Sequence, residues 1–131
     1  MPQVPDGLLY TPEDLWVATS SSTTWRVGLT TFALEAMGHL VHLDLPKTGT
    51  RVAQGRAFGE AEFTNSVCDL YGPLTGRVTA VNEAVLTRPQ LVHEDPLGAG
   101  WLVEIGADLE PQESLALLSA PAYRALIHAP W

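Results

Sequence analysis

Gly59-Glu-Ala-Glu-Phe-Thr-Asn-Ser-Val-Cys-Asp-Leu-Tyr-Gly-Pro73 is the stretch on which the reading of this chain turns. Strand-like runs at Arg56–Glu62 and Val67–Tyr71 flank a short polar tip, and Gly72-Pro73 ends the second run, which is the pattern of a hairpin. Glu62, Phe63, Thr64, Asn65 and Ser66 form a candidate contact surface. The polar groups offer hydrogen bonds to a partner, and an exposed Phe63 would anchor it through apolar contact. The same residues also suit a plain turn, because asparagine tolerates left-handed backbone.

Outward from the hairpin, eleven glycines and ten prolines are spread along 131 residues and cut them into short apolar segments. That spacing favours a compact, mainly β fold. Leu40-Val-His-Leu-Asp-Leu45 alternates, with Val41, Leu43 and Leu45 expected on one face and His42 and Asp44 on the other. Trp25–Leu29, Gly76–Val81 and Trp101–Ile105 read as further strands, the last with Trp101, Val103 and Ile105 sharing a face. Thr30–Gly38 has hydroxyl caps at its start and a glycine at its end, so a short helix is expected there. A second, Ser119–Ile127, opens with a capping serine and an early proline, and Pro111–Leu118 is a candidate for another helical stretch before it. No linker divides the chain, so residues 1–131 are expected to form one domain with residues 1–9 as an extended leading segment.

Composition limits the function. Apolar residues make up 46% and charged residues 17%, which suits a globular protein rather than a disordered one. The net charge of −8 argues against nucleic-acid binding, which needs lysine and arginine to displace counterions. It favours partners with basic docking surfaces. No apolar run approaches the roughly 20 residues of a membrane span. Met1–Gly7 has neither the basic start nor the apolar run of a secretory signal, so a cytoplasmic location is expected. A single cysteine, Cys68, excludes an internal disulfide framework.

Ordered blocks beyond the hairpin carry a resemblance. They are Tyr10-Thr-Pro-Glu-Asp-Leu-Trp-Val17, Val27-Gly-Leu-Thr30, Leu34-Glu-Ala-Met-Gly38, Leu45-Pro-Lys-Thr-Gly49, Val67-Cys-Asp-Leu-Tyr-Gly-Pro73, Val81-Asn-Glu-Ala84 and Glu94-Asp-Pro-Leu-Gly-Ala-Gly-Trp-Leu102. In order and spacing they resemble the glycine cleavage H-protein family. The resemblance implies a lipoyl/biotinyl-carrier-type β sandwich, or barrel-sandwich hybrid, with short peripheral helices and a C-terminal helix. It also implies a carrier that moves an aminomethyl group on lipoate between the enzymes of the glycine cleavage system.

One departure limits that expectation. The family's usual Glu-Ser-Val-Lys-Ala appears here as Glu62-Phe-Thr-Asn-Ser66, so Asn65 stands where the resemblance places the lipoyl-lysine. Lipoate is joined through a lysine amine, and a carboxamide is not the nucleophile for that bond. Lys47, the only lysine, lies in a Pro46–Gly49 turn that lacks the hairpin pattern. The expectation is a module without a cofactor that keeps a docking surface for a glycine-cleavage-type or lipoate-handling enzyme, or for a pathway-specific relative of one. The alternative is a repurposed carrier holding a substrate group on Cys68 or another site. Cys68 equally suits a buried strand position.

The remaining chemistry is thin. His39 and His42 are three apart, which on a strand sends them to opposite sides, so no metal is expected. His93 and His128 read as surface residues, although folding could bring His93 near the others. Glu62, Glu94 and Asp95 would work as acid and base only if two of them shared a cleft. No catalytic triad can be assembled from spacing, and the chain is expected not to be an enzyme.

Overall fold

A computed structural model describes residues 3–107 and 110–128. The elements run β1 (Leu9–Tyr10), β2 (Leu15–Thr19), β3 (Thr24–Leu29), α1 (Thr31–Met37), β4 (Leu40–Asp44), β5 (Arg51–Val52), β6 (Ala57–Phe63), β7 (Val67–Tyr71) and β8 (Gly76–Val81). There follow α2 (Glu83–Thr87), α3 (Gln90–Glu94), β9 (Val103–Gly106), α4 (Pro111–Ala116) and α5 (Ala120–Ile127). Of the expected extended leading segment, residues 1 and 2 lie outside the described residues.

Two antiparallel sheets form the body. One has six strands in the order β1-β2-β3-β9-β8-β5, and the other has three in the order β4-β6-β7. Leu15, Val17, Val27, Val103 and Ile105 from the first sheet and Leu43, Ala61, Phe63 and Leu70 from the second belong to one buried cluster. Apolar alternation on facing strands makes that cluster, and removing its surface from water is the main favourable contribution to folding.

A second cluster lies on the other side of β2. Val4, Tyr10, Trp16, Ala120 and Tyr123 pack there, with the Tyr10 and Tyr123 rings stacked at 4.8 Å. Strand β2 is therefore covered on both faces, with Leu15, Trp16 and Val17 all buried. A strand covered on both sides loses its period-two signal, which is why residues 15–19 do not read as a strand.

Two expectations need correction, and two helices carry no signal in the sequence. Strand β4 carries a register irregularity between Leu40 and His42, so Val41 turns outward and is 53% exposed instead of joining Leu43 inside. Trp101 precedes β9 and packs with the second cluster under the Arg26 guanidinium, 4.6 Å from its ring, rather than sharing the face of Val103 and Ile105. Helices α2 and α3, five residues each, are too short to show a helical period, yet each buries a valine, Val85 and Val92. The helix caps fall where they are expected. Thr30 caps α1 by accepting from the Ala33 N–H, Gly38 ends it at φ +90°, and Ser119 caps α5 through the Ala122 N–H.

Candidate functional site: the hairpin tip and its platform

Strands β6 and β7 pair in the register Glu62↔Val67, Ala61↔Cys68 and Glu60↔Asp69. The Phe63 N–H donates to the Ser66 carbonyl at 2.8 Å and closes the turn, leaving Thr64 and Asn65 exposed at its apex. The turn does not use a left-handed asparagine, because Asp14 is the only non-glycine residue with positive φ among those described. Its geometry comes from a neighbouring element.

That element is the end of α1. The Thr64 N–H donates to the His39 carbonyl at 2.8 Å, and the His39 N–H donates to Thr64 Oγ1 at 3.3 Å. Ser66 Oγ reaches Met37 Sδ at 3.6 Å. Between them, a methyl group on Gly38 would stand 2.7 Å from Thr64 Oγ1 and 3.0 Å from the Asn65 side-chain nitrogen. Met37–His39 is thus a platform under the tip. Its signal in the sequence, a Met-Gly helix stop directly before an apolar strand, reads as a helix end and says nothing of the contact.

The contact surface expected around the tip is partly corrected. Phe63 does not point to solvent as an anchor; it is 4% exposed and belongs to the main cluster. Strand alternation explains this, since Ala61 and Phe63 face inward while Glu60 and Glu62 face outward. The exposed apolar residues here are Val67, 58% exposed, and Val41. Val67 stands in one cross-strand row with Glu62 and His42. The next outward row is Asp44, Glu60 and Asp69, three exposed carboxylates directly opposite one another. Like charges so placed repel, so this row costs stability.

Cys68 is half-buried beside Ala61 and packs against the main cluster. Burial pushes its thiol up, the Asp14 and Asp69 carboxylates push the same way, and only a hydrogen bond with Ser66 opposes them. A thiol that carries cargo by nucleophilic attack needs the opposite shift.

The scattered polar residues do not assemble into a catalytic group. The Glu94 carboxylate pairs with Arg88, Asp95 accepts from the Ala99 N–H at 2.9 Å, and Glu62 sits on the outer face of β6. Among the described residues, no three histidine, cysteine or carboxylate groups gather as a metal site. His93 is not a simple surface residue, however, because folding brings its ring edge-on to His39 with centroids 5.6 Å apart. A second network missed by sequence runs beneath α1. Thr30 Oγ1 bonds the Tyr123 hydroxyl at 2.8 Å, which donates to Asp14 at 2.7 Å. Burial pushes the Asp14 carboxyl up despite that bond, and pushes Tyr123 up as well.

A family cofactor held by lysine does not fit these residues. Asn65 presents a carboxamide at the apex, and Lys47 follows the Asp44 end of β4, whereas the tip adjoins the Leu40 end. The length of β4, roughly 15 Å, separates the two.

Two antiparallel sheets with an exposed hairpin define the class: a carrier-type β sandwich. The chain belongs to the glycine cleavage H-protein family, whose model matches residues 8–129; proteins of this family are carriers, not enzymes. It is 47% identical over 130 residues to the glycine cleavage system H protein of Mycobacterium avium, covering 97% of this chain and 98% of that one. It is 44% identical over 132 residues to the protein so named from Mycobacterium tuberculosis, with the same coverage. The crystal structure of a glycine cleavage system H protein from Mycobacterium marinum superposes with a TM-score of 0.82 at 36% identity, over 92% of this chain and 96% of that one. Among the described residues, no helix is long and apolar enough to cross a membrane.

Proposed function

We propose that this chain is an H-protein-like module that works without lipoate, docking on a glycine-cleavage-type or lipoate-handling enzyme, or a relative of one, as a scaffold or modulator. The observation that carries this reading is Asn65, exposed at the apex of an intact hairpin where the family resemblance calls for a lysine amine. The platform Met37–His39 holds the tip through contacts of the chain itself. Docking falls to the tip residues Thr64, Asn65 and Ser66 together with the outer face of β4, β6 and β7, where Val41 and Val67 supply apolar contact and four carboxylates favour a basic partner. Glu62 belongs to that face, whereas Phe63 supports it from below.

The direct test is intact-mass measurement after expression with lipoate and its ligase. The mass of the unmodified chain is expected, and a lipoyl adduct would sink the reading. Asn65→Lys supplies the missing amine and is expected to gain the adduct, which controls for an inactive ligase.

A further inference from the structure

The first residue of β4 is held by a histidine. The Leu40 N–H donates to Nε2 of His93, in the last turn of α3, at 2.9 Å. A backbone amide can only donate, so Nε2 must offer its lone pair and the imidazole must be neutral, with its proton on Nδ1. One residue before Leu40, His39 clasps Thr64 through both its carbonyl and its N–H. A continuous run of hydrogen bonds and backbone therefore leads from α3 through Leu40 and His39 to the tip.

Charged and titratable groups surround His93 on each side. His39 faces it from the start of β4, and Glu35 of α1 lines the same cleft of about 220 Å³ with Thr31, Leu34 and Pro96. On its own helix Glu94 is engaged by Arg88, and just beyond it the Asp95 carboxylate is engaged by the Ala99 N–H.

We propose that His93 is a pH-sensitive latch on the hairpin tip: neutral, it fixes Leu40 and through His39 the tip, and protonated, it releases both. The proton comes from solvent and lands on Nε2, which turns the acceptor into a donor facing the Leu40 donor. The new charge also faces the His39 ring, 5.6 Å away between centroids. Burial, and then His39, hold His93 below the usual imidazole range, which agrees with the geometry. Because the folded state binds this proton less readily, the latch is fully engaged above about pH 6.5 and is lost as pH falls through the lower folded value.

Amide hydrogen exchange by NMR on the whole chain tests this between about pH 7.5 and about pH 5, with Val103 and Ile105 as core references. Leu40 and Thr64 are expected to lose protection together, roughly fivefold to tenfold relative to the core, in step with the His93 imidazole resonance. His93→Gln keeps an acceptor that does not titrate and is expected to hold both amides protected across the range. The latch is overturned if Leu40 stays protected while His93 titrates, if Thr64 does not follow Leu40, or if His93→Gln keeps the full pH response. The readout needs no partner and stands apart from the docking function.

Discussion

Single side chains at this site act through what lies under them. Phe63 looks like an exposed anchor in the sequence but is a core residue that fastens the hairpin to the sandwich. Phe63→Ala is expected to cost about 3–5 kcal/mol by urea unfolding, the usual range for removing a buried phenylalanine. A loss below about 1 kcal/mol would show that the ring is not packed as described. Asp14 sits in left-handed backbone at φ 71°, and its carboxyl is pushed up chiefly by burial. A carboxyl raised in the folded state binds its proton more readily there than in the unfolded chain. Its contribution is therefore most favourable at low pH and declines as pH rises from about 4 through the folded value. Asn tolerates the same backbone and can still accept from Tyr123. Asp14→Asn is expected to raise the thermal midpoint at pH 7, with the gain shrinking as pH falls towards about 4; a lowered midpoint at pH 7 would contradict the assignment.

At the scale of elements, the tip is shaped by the end of α1 more than by its own turn. Gly38 is the contact point, both because it adopts φ +90° and because a side chain there meets Thr64 and Asn65. Gly38→Ala is expected to cost about 1–3 kcal/mol and to shift the amide resonances of Thr64 and Asn65 while leaving β9 unchanged. Undisturbed tip resonances would show that the platform does not hold it. The carboxylate row Asp44, Glu60 and Asp69 makes a different prediction, since it repels itself and, in the proposed docking, faces a basic partner. The Asp44→Asn, Glu60→Gln, Asp69→Asn triple variant is expected to melt higher at low salt and to bind its partner enzyme with a smaller salt dependence. Unchanged salt dependence would move docking to another face.

Over the whole molecule, the legible and illegible parts separate by range. Strands β7 and β8 and the caps of α1 and α5 follow from local chemistry, in short strand-like runs bounded by turn residues and in the hydroxyls of Thr30 and Ser119. Strand β2 does not, because α5 and the segment before β1 return to cover the face that alternation would leave polar. Val41 is misplaced by a one-residue slip between two strands, which no feature of residues 40–45 announces. Of the candidate site, Asn65 and the exposed apex were legible. The burial of Phe63 follows from the alternation of Glu60-Ala-Glu-Phe63 once β6 is carried one residue past Glu62, whereas the platform at Gly38 depends on contacts across the chain, from 25 residues away in the case of His39 and Thr64.

The sequence by itself determined the family, through ordered blocks, and determined that the apex carries a carboxamide in place of an amine, because covalent chemistry is a property of the side chain alone. Only the tertiary structure decided that Met37–His39 carries the tip and that His93 reaches the start of β4. Those are statements about distance between residues far apart in the chain. Folding sets such distances when both sheets bury their inner faces together, and no local pattern records the outcome.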